Sequence, residues 1–84
     1  MNINSLRENI NTIDSQIYDL LLQRYRNVIQ IGLLKKENNL NILDNKREEL
    51  IYNNINSLNI NNSEKYYIKS IYIHILNLSK FIQK

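Results

Sequence analysis

Apolar residues recur at Ile3, Leu6, Ile10, Ile13, Ile17 and Leu20, in alternating steps of three and four. That is a heptad stripe along one face of a helix. The same steps run on through positions 24, 27, 31 and 34, where Arg24 and Asn27 interrupt the stripe before Ile31 and Leu34 restore it. Asn4 or Ser5 is expected to cap this helix, with Glu8 three residues after Ser5 as in a capping box. Within residues 6–37 only Gly32 opposes a helix; an interior glycine costs roughly 1 kcal/mol relative to alanine. The run from Glu37 to Asn41 reads as a loop. A second helix is expected from about Leu43–Asp44, with Leu50, Ile51, Ile55 and Leu58 as its apolar positions. Asn59 to Asn62 breaks the pattern again. A third helix is expected from Ser63–Glu64, carrying Ile68, Ile71, Tyr72, Ile75, Leu76, Leu78 and Ile82.

The pattern predicts an all-α fold of three helices, long, short and medium, with residues 1–84 forming one domain. The first helix is too long for such a domain. Residues 5–37 as one helix span about 50 Å, whereas a compact chain of this length is roughly 30 Å across. Its apolar stripe needs a partner, and a second copy is the simplest one, so an intertwined homodimer is expected. The competing reading breaks the helix at Gly32 and gives a four-helix monomer.

Composition narrows the function classes. The 84 residues hold no Cys and one His, His74, so thiolate and His-cluster metal sites and a Ser–His relay are disfavoured. Without Pro and with one Gly, the chain lacks a Gly-rich phosphate loop. No apolar run exceeds a few residues, which leaves no signal-peptide core or membrane span; a cytoplasmic location is expected. Asn, Ile and Leu dominate, with 16, 15 and 12 copies, and there is no Ala. The apolar periodicity argues against reading this bias as disorder. A net charge of +3 suits an anionic small ligand.

Several polar residues sit where a simple bundle wants none. Arg24 occupies a stripe position, and Lys35, eleven residues on, shares its face about 16 Å away. Two such side chains suit a small anion clasped over Val28 and Ile31. A lone polar seam residue that sets helix register is the plain alternative for Arg24. Asp44, Arg47 and Glu48 stand at i, i+3 and i+4, a spacing that also describes an ordinary exposed ion-pair cluster. Ser79 and Gln83 are i and i+4 on the third helix. Arg7 lies about 40 Å of helix from Lys35; only in an antiparallel dimer does it reach the middle of a partner's helix.

Taken in order, these residues resemble a known set. Leu6-Arg7-Glu8-Asn9-Ile10-Asn11-Thr12-Ile13-Asp14 is similar to the opening of the all-helical chorismate mutases. Leu20-Leu21-Leu22-Gln23-Arg24 and Gly32-Leu33-Leu34-Lys35 resemble that family's leucine-rich stretch ending in Arg and its Gly-x-x-Lys. Asp44-Asn45-Lys46-Arg47-Glu48 resembles its Asp-x-x-Arg-Glu, and Ser79-Lys80-Phe81-Ile82-Gln83 its Ser-x-x-x-Gln. The resemblance covers nearly the whole chain, and the Asn-rich, Ala-free background departs from typical members.

The resemblance implies three helices per chain in an interlocked homodimer and a rearrangement of chorismate to prephenate, toward phenylalanine and tyrosine. It implies no cofactor and no metal. Arg7 of the partner and Arg24 are expected to grip the two carboxylates. Lys35 and Gln83 are expected to donate to the ether oxygen, and Glu48, with Asp44 nearby, to hold the ring hydroxyl. Arg47 and Ser79 complete the carboxylate shell. Because Gln83 does not titrate, activity is expected to vary little over roughly pH 6–8.

Rival readings predict different behaviour. An isochorismate-pyruvate lyase would use a similar cationic pocket and differ in product. A non-catalytic helical dimerisation module would bind no small anion and tolerate Arg24→Lys. Nucleic-acid binding is disfavoured because the basic residues form no dense patch. The six Tyr follow helix periodicity, which favours a core or interface role, and His74 reads as structural.

Overall fold

The computed structural model describes residues 2–84. Three helices account for most of them: α1 (Ile3–Glu37), α2 (Asn45–Asn56) and α3 (Asn62–Gln83). Among the described residues, no helix is long and apolar enough to cross a membrane.

Each helix starts where a side chain satisfies its first free N–H groups. Asn2 caps α1, its side-chain oxygen accepting from the Ser5 backbone at 2.9 Å. The expected cap at Asn4 or Ser5 and its Ser5–Glu8 box are not formed, because Asn2 is an equally good cap further upstream and both Asn4 and Ser5 become helical residues. Asp44 caps α2 by accepting from Arg47 N at 3.0 Å. Asn61 caps α3 in a reciprocal box: Asn61 Oδ1 accepts from Glu64 N at 2.8 Å, and Glu64 Oε1 accepts from Asn61 N at 3.0 Å. That box starts α3 ahead of the expected Ser63.

α1 runs unbroken through Gly32, which removes the four-helix alternative. It ends in a left-handed turn at Asn39 (φ 54°). There Leu40 N donates to Lys35 O at 2.8 Å and Asn39 N to Lys36 O at 3.3 Å, a Schellman pattern with Asn in the position usually held by Gly.

α3 lies alongside α1 in the same direction, pairing Ser79 with Arg24 and Gln83 with Lys35. α2 returns along α3 in the opposite sense. The shared core is slight: Val28, Ile55 and Leu76 are its buried apolar side chains, at 5–6% exposure. The whole measures 54 × 26 × 16 Å, with a radius of gyration of 16.0 Å, against about 12 Å for a compact globule of this length. The excess is the N-terminal part of α1, where Ile3, Leu6, Ile10 and Ile13 are all exposed. Leu50 of α2 is also exposed, and Leu58, expected in the second helix, lies beyond its end at Asn56 and is exposed too. No tyrosine is buried within the chain, and Tyr18, Tyr66 and Tyr67 are exposed, so the core role is not theirs.

Candidate active site

The three helices enclose one cleft of about 360 Å³ whose walls carry most of the out-of-place polar residues. That size is within the usual range for small-ligand sites. Arg24 and Lys35 enter from α1, Asp44, Arg47 and Glu48 from the start of α2, and Ser79 and Gln83 from the last turns of α3. Seven of the eight expected site residues thus share one wall system. Val28, Ile31, Ile42, Ile51 and Leu76 supply the apolar surface between them. The eighth, Arg7, is exposed on the overhanging part of α1 and does not line the cleft.

Helix geometry explains the gathering. Arg24, Val28, Ile31 and Lys35 follow steps of four, three and four, so they form one stripe. Ser79 and Gln83 are one turn apart and face it. Gly32 is what lets the two helices close: a Cβ there would stand 3.2 Å from Gln83 Cα and 3.2 Å from its Cγ. The glycine thereby sets the depth at which Gln83 sits beside Lys35.

The side chains are held before any ligand arrives. Lys35 Nζ donates to Ile42 O and to Gln83 Oε1, both at 2.8 Å. An ammonium has three N–H bonds, so one is left without a protein partner on a side chain that lines the cleft. Because its oxygen accepts from Lys35, the Gln83 amide presents its NH2 as a further donor, and that NH2 has no partner among the described residues. On the opposite side, Arg24 NH1 donates to Ser79 Oγ. Ser79, buried at 8% exposure, directs its own proton to Ile75 O at 2.8 Å. Its hydroxyl therefore acts as an anchor for the guanidinium.

Charge follows the same layout. Arg24, Lys35, Arg47 and Lys80 face two carboxylates, Asp44 and Glu48, which leaves the cleft with a surplus of two positive charges. A small dianion matches that surplus. Asp44 turns one oxygen to the α2 N-terminus as its cap, while Glu48 Oε1 pairs with Lys80 Nζ at 3.3 Å.

Lys80 and Asn27 line the cleft although neither is among the site residues expected from the sequence. Asn27 left a signal, since it interrupts the α1 stripe three residues after Arg24. Lys80 left a weaker one, its i, i+3 relation to Gln83.

The family model described as chorismate mutase type II matches residues 6–84. No curated protein and no solved structure matches the chain.

Proposed function

The chain belongs to the chorismate mutase type II family, whose reaction converts chorismate to prephenate, and from that premise we propose how its cleft performs this rearrangement. The reaction is unimolecular and pericyclic. It needs no nucleophile and no proton transfer, so the useful tools are a fixed substrate conformer and stabilisation of charge developing on the ether oxygen.

In this reading Arg24 takes one substrate carboxylate. Ser79 positions its guanidinium fork, which suits bidentate hydrogen bonding. Arg47, on the α2 side of the cleft, adds charge to the same shell. Glu48 accepts from the ring hydroxyl through its free oxygen, with Asp44 close by at the helix cap. Lys35 and Gln83 form a paired donor station for the ether oxygen as the C–O bond breaks. The observation that carries the proposal is the Lys35–Gln83 hydrogen bond of 2.8 Å. It links α1 to α3 and leaves one ammonium N–H and one amide NH2 without a protein partner on side chains that line the cleft, preorganised rather than assembled during reaction.

A second copy of the chain completes the site. The exposed stripe from Ile3 to Leu20 is worth on the order of 1 kcal/mol per side chain if buried. An antiparallel partner covering it places its own Arg7 near this cleft, as the second carboxylate grip.

The test is loss of chorismate absorbance with purified protein, with the product identified by chromatography. Prephenate is expected. A folded protein that leaves chorismate unchanged but releases pyruvate from isochorismate would replace this reading with the lyase.

A further inference from the structure

Of the chain's 11 cationic and 8 acidic side chains, the described residues form a single ion pair, and it lies inside the cleft. Lys80 Nζ meets Glu48 Oε1 at 3.3 Å, with the two side chains 33% and 23% exposed. A surface pair of this kind contributes little to stability. Its location suggests a different use.

Glu48 faces an awkward demand. It accepts a hydroxyl in a cleft whose ligand is a dianion, so an uncompensated carboxylate there repels the substrate it is meant to hold. It also has two equivalent oxygens and free rotation about its side-chain bonds. Lys80 addresses both points. It comes from α3, one residue after Ser79 and three before Gln83, while Glu48 comes from α2, so the pair spans two helices across the cleft wall. The ammonium holds Oε1, and Oε2 has no hydrogen-bond partner among the described residues.

We propose that Lys80 is a positioning residue for the rearrangement, acting through Glu48 to fix its carboxylate and neutralise it toward a dianionic substrate. The inference rests on the functional reading above. Because the hydroxyl contact exists in both the ground state and the transition state, loss of Lys80 weakens both, and KM carries most of the effect.

The experiment is steady-state turnover of chorismate by the full chain, the variants Lys80→Met, Lys80→Arg and Glu48→Gln, and the double variant Lys80→Met/Glu48→Gln, with thermal melting of each. Lys80→Met is expected to raise KM roughly tenfold with kcat changed less. Lys80→Arg is expected to restore most of the loss. In the Glu48→Gln background, Lys80→Met is expected to add little, because its target is already gone. Unchanged KM in Lys80→Met, or effects that multiply in the double variant, overturns the role while leaving the mutase assignment intact. A fall in melting temperature that accounts for the activity loss makes Lys80 a brace between α2 and α3, which also overturns it. Absence of turnover in the unaltered chain removes the mutase reading, and this inference with it.

Discussion

At the scale of single residues, some groups of the cleft are proposed to meet the substrate and others to hold those groups in place. Lys35 is both, since it donates to Ile42 O and Gln83 Oε1 and retains one N–H for a ligand. Lys35→Ala removes a donor to developing charge and also releases Gln83. Its expected cost is about 10²–10³ in kcat, and Arg24→Ala is expected to cost as much or more. Near-wild-type turnover in either variant would refute the assignment. Ser79→Ala acts at one remove. It leaves Arg24 charged but unanchored, so a roughly tenfold loss, mostly in KM, is expected from steady-state kinetics. A loss as large as that of Arg24→Ala would mean that Ser79 touches the substrate itself. Arg24→Lys keeps the charge and loses the planar fork; it should be strongly impaired, whereas a mere register residue would tolerate it.

At the scale of elements, α1 and α3 depend on one close approach and α3 on one cap. Gly32→Ala gains helix propensity of up to about 1 kcal/mol. The added methyl meets Gln83 Cα and Cγ at 3.2 Å, so α3 must yield by a few tenths of an ångström. Gln83 is the last residue of its helix, and that final turn is the part that gives way. Gly32→Ala is therefore expected to remain folded, with a melting temperature within a few degrees of wild type, while kcat falls about tenfold as the amide leaves its place beside Lys35. An unchanged kcat would show that Gln83's depth is immaterial. The capping box at Asn61 gives the complementary result. Asn61→Ala costs about 1 kcal/mol of stability, a drop of several degrees in melting temperature, and should leave kcat unaltered because the box lies at the end of α3 remote from Gln83.

At the scale of the whole molecule, one chain buries little of its own apolar surface. Its buried apolar core is Val28, Ile55 and Leu76, while Ile3, Leu6, Ile10, Ile13 and Ile17 are more than 40% exposed along one face. If a second copy covers that face and lends Arg7, two inactive variants should complement each other. Arg7→Ala and Arg24→Ala homodimers, unfolded and refolded together in equal amounts, are expected to recover about a quarter of wild-type activity. Half the dimers are then mixed, and each mixed dimer has one intact site. Absence of recovery, with mixed dimers demonstrated by mass spectrometry, would place Arg7 outside the site. Ile10→Asp tests the face itself. It should lower the mass in sedimentation and abolish activity together; a monomer with full activity would end the shared-site proposal.

The alternation of three and four from Ile3 to Leu34 was enough to define a long helix, because helical periodicity is a local property carried by neighbours on one face. The same holds for the breaks near Asn38 and Asn59, and for the i, i+4 pairing of Ser79 with Gln83. Helix starts were legible only to within a turn, since Asn2 and Asn61 compete with Ser5 and Ser63 as caps and the choice is settled by which hydrogen bonds close. Residue identities, taken together, also pointed to the family. Position across the fold was another matter. Arg24 reaches Ser79 over 55 positions and Lys35 reaches Gln83 over 48; both meetings depend on how α3 crosses α1 at Gly32. Lys80 meets Glu48 only because α2 packs back along α3. Local pattern determined what each helix is and which face it shows, whereas the tertiary structure decided which faces meet, because contact between distant residues is set by the packing of helices and not by spacing along any one of them.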